Sequence, residues 1–305
     1  MNDVTIIGSG PAGLTAAIYA ARGGMKTVIY AGMQHGGQLT TTTEVENFPG
    51  FREGIQGPQL MTDMASQAER VGAQIEFEEI TRVDFSGRPL KLYAGDQEIT
   101  SKTVIIATGA TARTLGLPNE WQLMGRGLST CATCDGFFFK GKRVALVGGG
   151  DSAMEEATYL AKMCSEVLLL HRRPTFMASN IMLERARNNE KITFMVPYTV
   201  EDTVANDHGL TGIIVKNLDT NKKEEIKVEA LFMAIGHTPN SQIFKDFVDT
   251  DATGYIQVQD FTRTKIPGVF AAGDISDHVF RQAVTAAGMG CQAAIQAIRY
   301  LEEQH

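Results

Sequence analysis

The stretch "VTIIGSGPAGLTAAIYAARGG", residues 4–24, decides the fold. Val4, Thr5, Ile6 and Ile7 run as a strand into a glycine cluster, and apolar residues at helical spacing follow. The pattern reads as strand, tight turn, helix. Gly8, Gly10 and Gly13 spell G-x-G-x-x-G. The first glycine makes the turn, the second lets backbone amides approach a pyrophosphate, and the third keeps the helix close to the strand. The anion rests on the positive end of the helix. One such fingerprint is a weak signal, but "RVALVGGGDSAMEEATYLAKM" (143–163) repeats the plan with Gly148, Gly150 and Ala153. Each copy leads to a second strand, "KTVIYA" (26–31) and "SEVLLLHRR" (165–173). Each half later has an apolar strand ending in small residues, "KTVIIATGA" (102–110) and "EALFMAIGH" (229–237). The chain thus duplicates a dinucleotide-binding unit.

Working outward, "KIPGVFAAGDISDHVFRQAVTAAGMGCQAAIQAIRYLEEQ" (265–304) reads as strand, Gly-Asp turn and long helix. Small residues recur along that helix at Ala283, Ala286, Ala287, Gly290, Cys291 and Ala294, so it packs closely on a neighbour. We expect it to return to the first domain, which makes the second domain an insertion. The expected division is 1–112 and 241–305 for the first domain, with 113–240 as the second, carrying the cysteine pair. The crossings fall in "TARTLGLP" (111–118) and "HTPNSQ" (237–242), with proline and polar residues as in linkers. Alternation and turn signals over 80–107 and 198–234 predict a small antiparallel β-meander in each half. The fold class is α/β, with two Rossmann-like dinucleotide-binding domains, the second inserted in the first.

The 305 residues suit about two domains. A net charge of −7 argues against a nucleic-acid partner, because a phosphate backbone demands a basic face. A strand that starts at Val4 leaves no room for a signal peptide, and no run of 18 apolar residues exists to span a membrane. A cytoplasmic location is expected, and there a stable structural disulfide is disfavoured.

The end of the second strand faces the adenosine ribose, where an acid suits a free 2′-hydroxyl and arginine a 2′-phosphate. After the second fingerprint that place holds His171, Arg172 and Arg173, which favours NADPH over NADH. After the first, no acid stands at Tyr30 or Ala31. Instead come Gly36, Gly37 and Gln38, a run of threonines (40–43) and Asn47, with Gly273 and Asp274 closing a later strand. Backbone that can lie against a flat ligand, and a carboxylate for a polyol chain, suit FAD.

The remaining question is "STCATCDGFFF", residues 129–139. Cys131 and Cys134 have no second CxxC to complete a zinc site, and the histidines show no paired spacing, so no metal is expected. In a cytosolic nucleotide-binding chain the pair is best read as a dithiol–disulfide couple, closing a short ring at low entropic cost. One sulfur must face the flavin and the other must attack an external disulfide. Asp135 reads as proton donor and acceptor for the leaving thiolate, or as a helix N-cap. Cys164 and Cys291 read as buried small hydrophobes. Phe137, Phe138 and Arg126 could dock a partner, or the phenylalanines could be core.

The chain resembles the bacterial-type, low-molecular-weight thioredoxin reductases over essentially its whole length. The resemblance rests on "GSGPAG", "GGQLTTTTEVENFPG", "ATGA", "CATCDGFF", "GGGDSAMEEA", "HRR", "AIGHTPN", "GVFAAGD" and "DHVFRQA". It implies a homodimeric flavoenzyme passing electrons from NADPH to FAD, to the Cys131–Cys134 disulfide and to thioredoxin. By that likeness Cys134 is the sulfur nearer the flavin, Cys131 attacks the substrate and Asp135 is the acid. Around FAD it places Gly8, Ser9, Gly10, Pro11, Ala12 and Gly13, then Ala31, Gly36, Gly37, Gln38, Leu39 and Asn47. Thr108, Gly109, Gly273, Asp274, Arg281, Gln282 and Ala283 complete that set. Around NADPH it places Gly149, Gly150, Asp151, Ser152, Ala153 and Glu155, then His171, Arg172, Arg173 and Gly236. The family commonly has a third arginine where this chain has Met177, which weakens the expected preference for NADPH.

The cysteine pair and the nicotinamide site both fall on the inserted domain, yet both must meet one flavin and admit a protein substrate. A rotation of that domain about its two linkers is expected. Competing readings are a reductase serving another disulfide carrier, an oxidase of small dithiols, which "HRR" argues against, and a non-catalytic flavin-binding sensor.

Overall fold

The computed structural model describes residues 1–42 and 44–304, so Thr43 of the threonine run lies outside the described residues. The chain forms two compact units: Met1–Thr111 with the segment from Thr238 onward, and Ala112–His237. The boundaries expected at 112/113 and 240/241 fall within a few residues of these. Asn240 shows why the first unit resumes early: its amide donates to Gly109 O at 3.0 Å and its Nδ2 to Thr108 O at 2.9 Å.

In the first unit, parallel strands lie in the order Gln74–Glu76, Thr27–Tyr30, Asn2–Ile7, Gln97–Ile106. Val269–Ala271 adds on the far side of Gln97–Ile106. Both faces of this sheet are covered, so its strands are apolar without alternation. Val4, Ile6, Ile29 and Ile105 face one core with the helices Pro11–Arg22 and Ala283–Glu302. Ile7, Val28, Tyr30 and Ile106 face a second core with Leu90, Leu92 and Phe244. The meander is present as Arg82–Asp84, Leu90–Ala94 and Gln97–Ile106. Its third strand is not separate from the parallel sheet. The single strand Gln97–Ile106 pairs antiparallel with Leu90–Ala94 through its first half and parallel with Asn2–Ile7 through its second.

The second unit repeats the order with Ile192–Met195, Glu166–Leu170, Arg143–Gly148 and Ala230–Ala234, all parallel. Here the fifth strand, Leu128–Ser129, precedes the fingerprint in the chain, and it too runs parallel to its neighbour. The cysteine turn therefore leaves this sheet toward the carboxyl ends of its strands, the edge where α/β sheets bind ligands. A separate antiparallel sheet, Tyr198–Asn206, Gly209–Asn217 and Lys223–Ile226, forms the second meander.

The long helix does pack on the first fingerprint helix, as its small residues require. A Cβ on Gly290 would lie 2.0 Å from Ala12 O, so only glycine permits this approach. Among the described residues no helix is long and apolar enough to cross a membrane.

Candidate active site

The first fingerprint is built as its glycines demand. Gly8 has φ +105°, and a Cβ there would meet Ala107 O at 2.3 Å. A Cβ on Gly13 would meet Gly8 O at 1.9 Å, so the third glycine is fixed by helix–strand contact. Beside Gly10, by contrast, no atom lies within 4 Å of where a Cβ would stand. Gly10 is the N-cap of Pro11–Arg22 and provides no side-chain cap, so the first-turn amides keep their anion-binding capacity.

Gly36, Gly37, Gly273 and Thr108 lie against this turn. The Gly36 amide donates to Ser9 Oγ at 2.9 Å, and Ser9 Oγ donates to Ala31 O at 3.4 Å. That draws the 36–39 loop over the end of the second strand, where a Cβ on Gly37 would lie 3.3 Å from Gly10 Cα. Gln38 Nε2 donates to Ala110 O, and Leu39 packs on the core. Asn47 Nδ2 donates to Gln282 Oε1 at 3.4 Å, and Gln282 caps the helix Ala283–Glu302 in a reciprocal box with Thr285. Gly273 has φ +81°, where a Cβ would lie 2.9 Å from Ala12 Cβ. Thr108 Oγ1 donates to Asn240 O at 2.9 Å, and Gly109 has φ +67°. Asn240, the last residue of "AIGHTPN", was not among the site residues read from the sequence.

Asp274 follows Gly273 and is half-buried. Burial pushes its carboxyl up to about 6, with Asp277 adding repulsion and Arg281 opposing it. The folded value exceeds the ordinary 3.8, so its stability contribution is full below that pH and is lost as pH rises through about 6. Asp274→Asn is therefore expected to raise the urea midpoint of the ligand-free protein relative to wild type at pH 8 but not at pH 4. Equal midpoint shifts at the two pH values would contradict this.

In the second fingerprint a Cβ on Gly148 would lie 2.5 Å from both Ala153 Cβ and Ala234 O. Gly149 is held bare by His171, whose Cε1 would lie 2.2 Å from a Cβ there. His171 stacks on Phe176 with ring centroids 4.7 Å apart. That contact sets the exposed Arg172 and Arg173 directly after the fingerprint contact. The loop beyond them folds back: the Met177 and Ala178 amides donate to Gly149 O at 2.8 and 3.1 Å. The Ser179 amide and hydroxyl donate to Asp151 Oδ1 at 2.7 and 2.8 Å. Asp151 thus fastens this loop to the helix Asp151–Ala161, next to the exposed Ser152. Met177 is 81% exposed. Glu155 lines a surface groove with Asp151, Thr158, Tyr159, Lys162, Met182 and Arg185. Gly236 has φ +96° and its carbonyl accepts the Arg113 amide at 2.9 Å.

Cys131 and Cys134 form a disulfide, with Cα atoms 5.3 Å apart. Cys131 is the N-cap of the short helix Ala132–Asp135, and its carbonyl accepts the amides of Cys134 and Asp135 at 3.3 and 3.1 Å. The Asp135 carboxylate caps no helix. It accepts a hydrogen bond from Ser129 Oγ at 2.5 Å. Burial raises the Asp135 carboxyl above the usual range and the Ser129 bond partly opposes this. Ser129 was absent from the sequence-level site, because its bond spans a turn of the helix. Phe139 packs edge-on against Phe232, whereas Phe137 and Phe138 are 59% and 42% exposed. Arg126 Nη2 donates to Asp207 O. Cys164 is buried as expected, but Cys291 is only half-buried and hydrogen-bonds the Tyr19 hydroxyl. Among the described residues no group of three or more His, Cys, Asp or Glu gathers to hold a metal.

Comparison with known proteins agrees with this geometry. The pyridine nucleotide-disulphide oxidoreductase family matches residues 2–290. A thioredoxin reductase from Mycolicibacterium smegmatis is 51% identical, covering 100% of this chain and 98% of that protein. A bifunctional thioredoxin reductase/thioredoxin from Mycobacterium leprae is 49% identical over 99% of this chain, which accounts for 66% of its own length. The structure of thioredoxin reductase from Giardia duodenalis superposes with a TM-score of 0.94 at 41% identity, covering 99% of each chain. The chain belongs to the pyridine nucleotide-disulphide oxidoreductases and, within that family, to the bacterial-type thioredoxin reductases.

Proposed function

We propose that the enzyme draws electrons from NADPH, passes them through FAD to the Cys131–Cys134 disulfide and delivers them to the disulfide of thioredoxin. The observation that carries this reading is a disulfide formed on the unit that bears one dinucleotide fingerprint, in a chain that bears two. The relative from Mycobacterium leprae, in which reductase and thioredoxin share one chain, supports the choice of partner. Homodimeric assembly follows from the family resemblance.

The residues fit both cofactors. Gly10, open beside an uncapped helix start, suits a pyrophosphate, and the Gly36–Gly37 loop offers backbone to a flat ligand. Asp274 accepts hydrogen bonds from a polyol once ionised. Arg172 and Arg173 suit the 2′-phosphate of NADPH, while Asp151 in the first helical turn disfavours an anion close to it. When bound, FAD supplies the exchange between a hydride from the nicotinamide and an electron pair for the disulfide.

That electron pair opens the Cys131–Cys134 bond to a dithiol. The Cys131 thiolate attacks one sulfur of the substrate disulfide and expels the other as a thiolate. Cys134 then attacks the Cys131 sulfur, which re-forms the enzyme disulfide and expels the second substrate sulfur as a thiolate. Asp135 supplies the proton to the leaving group. Because fingerprint and cysteines share the inserted unit, we propose that this unit rotates about its two crossings between half-reactions.

Steady-state reduction of thioredoxin with NADPH, compared with NADH, tests the reading. Changing Arg172 and Arg173 together to glutamine is expected to raise KM for NADPH roughly 10- to 100-fold, with KM for NADH little changed. An equal rise for both nucleotides would remove the phosphate assignment, and no thioredoxin reduction by wild type would remove the function.

A further inference from the structure

We propose that Ser129 is a positioning residue for the disulfide chemistry: its hydroxyl ties the Asp135 carboxyl to the cysteine turn and stabilises the ionised carboxylate. The inference rests on the functional reading above.

Ser129 ends the edge strand Leu128–Ser129 and is only 3% exposed. Its oxygen contacts both ends of the turn. It accepts the Cys131 amide at 3.0 Å, and it donates to Asp135 Oδ2 at 2.5 Å. A hydroxyl has one proton, and Cys131 O is farther away at 3.3 Å, so the carboxylate receives it. A serine that only filled space at a strand end would need neither contact. The bond acts on a group under two opposed influences, since burial raises the Asp135 carboxyl and Ser129 lowers it.

Burial and the Ser129 hydroxyl are the two influences on that carboxyl. The helix Asp151–Ala161, which packs on the turn, carries Asp151, Glu155, Glu156 and Tyr159, and none of them contributes to the Asp135 shift. The paired strand Ala230–Ala234 has no titratable side chain, and the segment Gly136–Phe139 has none before Lys140.

In the exchange step Cys131 S⁻ forms a bond to one substrate sulfur while the substrate S–S bond breaks. The leaving thiolate takes the proton of the Asp135 carboxyl. The resulting carboxylate is the form that the Ser129 hydroxyl stabilises. It then takes the proton from the Cys134 thiol as that sulfur attacks Cys131; the bond from Cys131 to the substrate breaks, the second substrate sulfur leaves as a thiolate, and the acid is restored. Without the hydroxyl, Asp135 holds its proton to higher pH and returns it less readily.

The test uses holoenzyme reduced to the dithiol state, with two readouts across pH: thioredoxin reduction and alkylation of Cys131 by iodoacetamide. Asp135→Asn identifies the limb that belongs to this carboxyl by losing it. In Ser129→Ala and Ser129→Val that limb is expected to move up by about one pH unit or more, since a hydrogen bond to a charged group is lost. In Ser129→Thr, which keeps the hydroxyl, it is expected to stay where wild type has it. Valine matches threonine in shape, so either hydroxyl-free variant decides the matter if the other does not fold. A wild-type limb in folded Ser129→Ala or Ser129→Val overturns the proposal, as does a limb that survives in Asp135→Asn. Wild type that shows the limb in alkylation but reduces no thioredoxin would sink the functional reading and leave the Ser129 assignment standing.

Discussion

Replacing either Cys131 or Cys134 with serine is expected to lower NADPH-dependent reduction of thioredoxin roughly a thousandfold or more, because the two sulfurs act as one relay. The same variants are expected to keep their flavin and to reduce a one-electron dye with NADPH, since neither fingerprint is touched. The oxidised protein should lose no more than a modest part of its stability. The bridge spans a sequence separation of 3, and closing so short a loop is worth only about 2 kcal/mol. The variants also differ from each other. If Cys131 is the attacking sulfur, Cys134→Ser should trap a covalent mixed disulfide with oxidised thioredoxin on a non-reducing gel, and Cys131→Ser should not. The reverse pattern would exchange the two roles. Thioredoxin reduction near the wild-type rate in both variants would rule out the relay.

The second large effect is structural. Gly290→Val puts a Cβ 2.0 Å from Ala12 O and 2.9 Å from Ala12 C, both backbone atoms that cannot turn aside. The helix Ala283–Glu302 must then move off Pro11–Arg22, one residue from Gly13 and two from Gly10. The expected loss is about 3 kcal/mol or more, or roughly 10 °C in melting temperature, together with loss of flavin. Gly288 is the control on the same helix. It is exposed, with no atom within 4 Å of a Cβ, so Gly288→Ala should be neutral or stabilise by up to about 1 kcal/mol. Thermal unfolding and the visible absorbance of purified protein check both. If Gly290→Val melts like Gly288→Ala, the close helix contact does not exist.

The cysteine pair and both fingerprints were legible in the chain because their geometry is local. A strand, a glycine turn and a helix write their spacing into consecutive residues. The duplicated unit and the close packing of the small-residue helix followed from that spacing. The strand Gln97–Ile106 was legible only in pieces. Its two halves serve different partners, and a change of partner leaves no mark in alternation.

What the sequence alone determined, then, is the set of elements and the chemistry they can bear: two nucleotide cradles, one redox pair and an adjacent acid. Only the tertiary structure decided which distant side chains meet beside them. Ser129 reaches Asp135 because the turn at Cys131 folds one onto the other. Asn240 reaches Thr108 and Gly109 because two chain crossings lie side by side. The loop holding Met177 lies on Gly149 because Asp151 accepts Ser179. Such bonds join residues whose proximity depends on packing elsewhere, and residue order carries periodicity and local turn preference but not that proximity.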